Sequence, residues 1–126
     1  MLDLTSRTIL IVDDEPELLE IMSQILEQKG AKVLMASDGI QAFEIWSQNP
    51  QIDVVMTDVA MPGKDADGIS LVKKIRAISS SKPPIIMITG YSRQTEAEAL
   101  AAGTSMVFPK PIRIQDIDAA LAKLLG

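Results

Sequence analysis

In the stretch Thr8-Ile9-Leu10-Ile11-Val12-Asp13-Asp14-Glu15-Pro16, an apolar run of strand length stops on two carboxylates and a proline then opens a new segment. A run without polar alternation suits a strand covered on both faces, as in a parallel sheet. The residues that follow, Pro16 to Lys29, carry Leu18, Leu19, Met22, Ile25 and Leu26 at helical spacing. Pro16 fits a first helical turn and Gly30 a C-terminal cap. Three later runs end the same way: Val54-Val55-Met56-Thr57 at Asp58, Ile85-Ile86-Met87-Ile88 at Thr89, and Met106-Val107-Phe108-Pro109 at Lys110. Val33-Leu34-Met35-Ala36 makes a further strand.

Helical segments alternate with these strands. They run from about Ile40 to Gln48, ended by Pro50; from Ile69 to Ile78, with Asp67 as N-cap; and from about Ser92 to Ala102. A last helix carries Ile114, Ile117, Leu121 and Leu124 on one stripe. The fourth helix, alanine-rich, offers only Leu100 as a large apolar anchor and is expected to be the most loosely held. Five strand-helix units in succession predict an α/β fold: a doubly wound, five-stranded parallel sheet with helices on both faces. No repeat, low-complexity tract or linker interrupts the chain, so residues 1–126 are expected to form a single domain.

Composition narrows the chemistry. A hydrophobic fraction of 47% supplies a core, while a net charge of −5 and a pI near 4.6 argue against a phosphate-backbone binder. Direct nucleic-acid binding is not expected. Neither a signal peptide nor a membrane-spanning run is visible, which makes the cytoplasm the expected location. The absence of cysteine and histidine removes thiolate nucleophiles, histidine bases and the usual zinc sites. Carboxylate, hydroxyl and lysine chemistry remains.

Ligand sites in open α/β sheets lie beyond the carboxyl ends of the strands. One crevice would then gather Asp13, Asp14, Asp58, Thr89 and Lys110. Taken singly, each has a plain structural use: Asp13-Asp14 as a solvated turn ahead of a helix, Asp58 and Thr89 as ordinary strand ends, Lys110 as a surface charge. Together they suit a divalent cation and a phosphoryl group. Crowded carboxylates raise one another's pKa unless a cation joins them, and Mg²⁺ is satisfied by one or two carboxylates plus waters and phosphate oxygens. A carboxylate at the position of Asp58 can act as a nucleophile towards a phosphoryl donor. The Pro109-Lys110-Pro111 turn is stiff, compatible with a cis Lys110-Pro111 bond, and fixes where the ammonium points.

Over essentially its whole length the chain resembles the receiver domains of two-component response regulators, the CheY-like family with a flavodoxin-like fold. The matching pieces are Ile-Leu-Ile-Val-Asp13-Asp14-Glu-Pro, Val-Val-Met-Thr-Asp58-Val-Ala-Met-Pro, Ile-Met-Ile-Thr89-Gly, Ala-Ala-Gly103 and Pro-Lys110-Pro. The resemblance implies that Asp58 accepts phosphate from a sensor histidine kinase or phosphotransfer protein. It also implies that Asp13, Asp14, Asp58 and the backbone carbonyl of Ala60 hold Mg²⁺, and that Thr89 and Lys110 contact the phosphoryl group. Three departures stand out. The stretch Pro62 to Gly68 is longer than the family's usual loop. Val107 replaces the family's usual switch aromatic, with Phe108 on the opposite face of the strand. Ala60 and Tyr91 occupy the positions that flank the phosphoryl group, Ala60 leaving space for water and Tyr91 able to obstruct it.

The expected function is that of a phosphorylation-activated binding switch without an output domain of its own, catalysing only its own phosphorylation and dephosphorylation. Its target would be a protein contacting the surface made by helix 4, strand 5 and helix 5. An aspartate-nucleophile phosphotransferase or phosphatase is the alternative from another class. The haloacid dehalogenase type, however, carries a second aspartate where this chain has Ala60. A scaffold that works without phosphorylation, or a receiver cut from a hybrid sensor kinase, are the other readings.

Overall fold

The computed structural model describes residues 2–90 and 93–126. Tyr91, the candidate modulator, and Ser92, the expected start of the fourth helix, lie outside the described residues. The element order is β1 (Thr8–Val12), α1 (Pro16–Gln28), β2 (Lys32–Ala36), α2 (Gly39–Gln48), β3 (Val54–Asp58), α3 (Gly68–Ile78), β4 (Ile85–Thr89), α4 (Arg93–Ala102), β5 (Met106–Pro109) and α5 (Ile114–Leu125). The strands form one parallel sheet in the order β2-β1-β3-β4-β5. This is the doubly wound five-stranded fold the periodicity predicts.

Strand alternation divides the core between two faces. Ile9, Ile11, Val54, Met56 and Ile86 meet Leu26 of α1 and Ile117, Ala120 and Leu121 of α5. On the other face Leu10, Val12, Val55, Ile85 and Met87 pack with Trp46 of α2, Leu71, Val72 and Ile75 of α3, and Ala99 of α4. Chain order reverses between β1 and β3, so the crevice at their carboxyl ends opens between the two helical layers.

Local signals set the helix ends. Asp38 accepts the N–H of Gln41 at 2.8 Å and Asp67 that of Ser70 at 2.9 Å, each supplying an acceptor to a helix start that has none of its own. Gly30 stops α1 with a φ of 100°, a conformation costly for other residues. The Asp53 carboxylate, one residue before β3, braces the start of β1. It accepts the N–H of Thr8 at 2.8 Å and pairs with Arg7 at 3.5 Å.

The fourth helix corrects one expectation: Leu100 is 48% exposed and Ala99 is the residue it buries. Its C-terminal turn is held by Arg76 of α3. That guanidinium donates to the carbonyls of Gly103 at 3.0 Å, Pro83 at 2.8 Å and Ser79 at 3.4 Å. Lys110-Pro111 is cis, as the flanking prolines allow, and so is Lys82-Pro83, which the sequence did not suggest. Among the described residues no helix is long and apolar enough to cross a membrane.

Candidate functional site

Asp58 is the last residue of β3 and only 6% exposed. Burying a carboxylate is costly unless its oxygens find donors. The backbone N–H of Val59 donates to Oδ1 at 2.7 Å, and Lys110 Nζ lies 2.8 Å from Oδ2. The Thr57 hydroxyl donates to the Asp58 carbonyl at 2.8 Å, which ties down the main chain beneath the side chain. Lys110 is placed from the neighbouring strands: its N–H donates to the Thr89 carbonyl at 2.8 Å, and the rigid turn beyond directs the side chain across β4 towards β3.

Asp13 and Asp14 follow β1. Asp13 donates its N–H to Ala36 at 3.1 Å and accepts the N–H of Glu15 at 2.9 Å, so it is fixed from both sides while Asp14 is exposed. One carboxylate oxygen from each of Asp13, Asp14 and Asp58 lies within 4.8 Å of the others. Burial pushes the Asp13 carboxyl up, and the charges of Asp58 and Asp14 add to that rise. The Glu15 N–H and the Lys110 charge oppose it without cancelling it. For Lys110, burial draws the ammonium down, but the hydrogen bond and charge of Asp58 outweigh burial and leave it raised. The cluster is therefore a set of hard oxygen donors whose negative charge Lys110 offsets only in part, which is the donor chemistry Mg²⁺ requires.

Thr89 is buried at the end of β4, and its hydroxyl donates to the Gly90 carbonyl at 2.9 Å. Ala60 lies exposed in the loop after β3. Val107 packs against one core face and Phe108 against the other, so the two side chains do point to opposite sides of β5.

The long loop after β3 is built in rather than loose. Ala66 is buried and its carbonyl accepts the N–H of Gly39 at 2.7 Å, while Gly68 donates to the Val59 carbonyl at 2.9 Å. Sequence reasoning missed Gly68. Its α-carbon sits against Asp58, and a Cβ there would overlap the Asp58 carbonyl oxygen. A glycine opening a helix directly after an aspartate N-cap was the available signal.

Residues 9–122 match the response regulator receiver domain family. The chain is 34% identical over 121 residues to a chemotaxis protein CheY homolog of Campylobacter jejuni, covering 94% of this chain and 92% of that protein. It is 32% identical over 118 residues to the transcriptional regulatory protein CpxR of Escherichia coli K12, covering 93% of this chain and 48% of CpxR. The chain thus spans about half the length of that regulator, and 36% of the response regulator GtcR of Aneurinibacillus migulanus. A chain of the CheX-CheY-BeF3-Mg²⁺ complex of Borrelia burgdorferi superposes with a TM-score of 0.87 at 25% identity, covering 97% of this chain and 91% of that one. Strand order, acidic cluster and a match along nearly the whole length agree, and the chain belongs to the response regulator receiver domain family of two-component signalling.

Proposed function

We propose that this receiver is a phosphorylation switch in which Asp58 takes a phosphoryl group in a Mg²⁺-dependent reaction. The observation that carries the reading is the Lys110 ammonium 2.8 Å from a buried Asp58 that shares a 4.8 Å cluster with Asp13 and Asp14. Asp13, Asp14, Asp58 and the Ala60 carbonyl would hold the cation. Mg²⁺ bound there would offset the charge of the carboxylates and of the arriving phosphoryl oxygens.

An Asp58 carboxylate oxygen bonds to phosphorus while the bond from phosphorus to the donor breaks and its electron pair leaves with the donor, giving an aspartyl phosphate. Lys110 moves from the carboxylate to a phosphoryl oxygen, and the Thr89 hydroxyl turns from the Gly90 carbonyl to another. Val107 supplies no ring to swing, so the signal runs through Thr89 and the segment leading into α4. The phosphodonor is a sensor histidine kinase or phosphotransfer protein in the cytoplasm, and the downstream partner is a protein that reads α4, β5 and α5. Residues 1–126 act as one domain that turns over only its own phosphate.

The test is intact-mass measurement after incubation with acetyl phosphate. The native chain should gain one phosphate in Mg²⁺ and none in EDTA, and Asp58→Asn should gain none in either. Labelling that ignores the metal, or that survives in Asp58→Asn, overturns the reading.

A further inference from the structure

Among the described residues, β2 pairs with β1 alone and so forms one edge of the sheet. Lys32 donates its N–H to the Arg7 carbonyl and Ala36 accepts that of Asp13, both towards β1. Bonding direction alternates along a parallel strand, so Lys32, Leu34 and Ala36 serve β1 while Val33 and Met35 turn their N–H and C=O outward. An edge of this kind is a template for a further strand. Beside it lies a trough of about 600 Å³, lined by Glu20, Ser23 and Glu27 of α1, by Met35 and Ser37, and by Gln41 of α2. Its α1 wall extends from Pro16 to Glu27, about 16 Å of helix, which matches about five residues of extended chain. This is not the side of α1 that borders Asp58, where Leu18, Ile21, Met22 and Ile25 lie.

The neutral polar groups of the trough already have partners. Ser37 donates its N–H and its hydroxyl to Gln41 Oε1, at 2.7 and 3.0 Å, and the Ser23 hydroxyl donates to Glu27. What faces an occupant is carboxylate, the Met35 side chain at 48% exposure, and the strand edge. Neither α1 nor α2 contains a lysine or arginine, whereas they carry Glu17, Glu20, Glu27 and Glu44. The two nearby cations do not neutralise this face. Lys29 is held by Asp118 of α5 at 3.0 Å, and Lys32 shares the strand face of Leu34, opposite to Met35.

We propose that this edge docks an extended basic segment of a partner protein as a sixth strand. Its main chain bonds to Val33 and Met35, and its lysine or arginine side chains, at alternate positions facing α1, reach Glu20 and Glu27. Strand addition draws affinity from main-chain hydrogen bonds and specificity from alternate side chains, and here the specificity is for positive charge. A second copy of the chain does not fit the same place. With a net charge of −5 and glutamates along both flanking helices, β2 against β2 would bring like charges together. The proposal stands apart from the chemistry at Asp58.

The probe is a capped hexapeptide of alternating lysine and valine, compared with the same peptide methylated at every backbone nitrogen, which keeps the charge and removes the strand donors. Each is titrated into the full chain at low salt, with affinity read by fluorescence anisotropy and amide exchange by NMR. In the free chain the amides of Val33 and Met35 should exchange faster than that of Leu34. Saturating hexapeptide should slow Val33 and Met35 by about tenfold, as newly formed hydrogen bonds do, and leave Leu34 unchanged. The methylated peptide should give no such protection. In the double variant Glu20→Gln, Glu27→Gln, whose side chains are exposed and whose new amide still accepts the Ser23 hydroxyl, affinity should fall about fivefold through two lost exposed ion pairs. The proposal is overturned if the hexapeptide fails to bind at millimolar concentration, binds without protecting Val33 and Met35, or binds the double variant as tightly as the native chain. Equal affinity of the two peptides overturns it as well, since charge alone would then explain the binding.

Discussion

Replacing Asp13 by Asn should stabilise the metal-free protein, although it removes a residue of the site. Two unit charges at the 4.8 Å span of the cluster repel by about 0.9 kcal/mol in water and about 3.5 kcal/mol at an effective dielectric of 20. Asp13 is half-buried and its neighbour Asp14 exposed, so solvent screens the larger figure, and Lys110 offsets part of the Asp58 charge. A net relief of about 1–2 kcal/mol remains, or roughly 4–8 °C in Tm for a domain of this size. The Asn carbonyl can still accept the Glu15 N–H at 2.9 Å, so the turn is kept. Because the Asp13 pKa is raised in the folded state, its penalty is absent below the unfolded carboxylate value near pH 4 and grows as pH rises through the folded value. Urea titrations in EDTA should therefore show Asp13→Asn more stable than the native chain at pH 7 and equal to it near pH 4. Saturating Mg²⁺ stabilises whichever protein binds it better and should shrink or reverse the gap. A variant no more stable than the native chain in EDTA at pH 7 would refute this electrostatic reasoning.

The opposite sign is expected at the lysine. Lys110→Ala leaves the buried Asp58 without its ion pair and should cost about 1–2 kcal/mol in EDTA, less than a fully buried pair because the ammonium is partly exposed. Calorimetric titration should nonetheless find Mg²⁺ affinity unchanged or a few-fold higher, since a competing charge is gone; a large loss of affinity would contradict the geometry. Arg76→Met should cost about 2 kcal/mol through its three carbonyl contacts. Amide exchange should accelerate at Gly103 and Thr104, whose N–H groups close the last turn of α4, and exchange there unchanged from the native chain would show that Arg76 does not hold that turn.

The fold was legible because its strands are unalternating apolar runs and its helix ends carry Pro16, Gly30 and Asp67, local signals that tertiary packing did not override. The residues of the candidate site stand out for the same reason: each lies where an apolar run ends, and parallel topology puts such ends on one edge of the sheet. Periodicity failed where helices carry more apolar surface than the core uses, or less. Leu18 and Ile114 belong to apolar stripes yet remain exposed, lining an open groove between α1 and α5 instead of being covered. In α4 the alanine-rich sequence gives no clear phase, and packing selected small Ala99 over Leu100. Gly68 and Arg76 act through contacts that exist only once distant segments meet, the first against Asp58 and the second against Gly103 and Pro83. A local pattern can flag the glycine after the Asp67 cap, but not the partner that either residue meets.

The phosphoryl acceptor can be located directly by labelling the native chain with acetyl phosphate in Mg²⁺, reducing the acyl phosphate with borohydride and mapping the product by peptide mass spectrometry. Aspartyl phosphate becomes homoserine, so the modification should appear at position 58 alone and vanish when EDTA replaces Mg²⁺. Homoserine at Asp13 or Asp14, or a phosphate that resists borohydride because it sits on a hydroxyl such as Thr89, would contradict the assignment of Asp58.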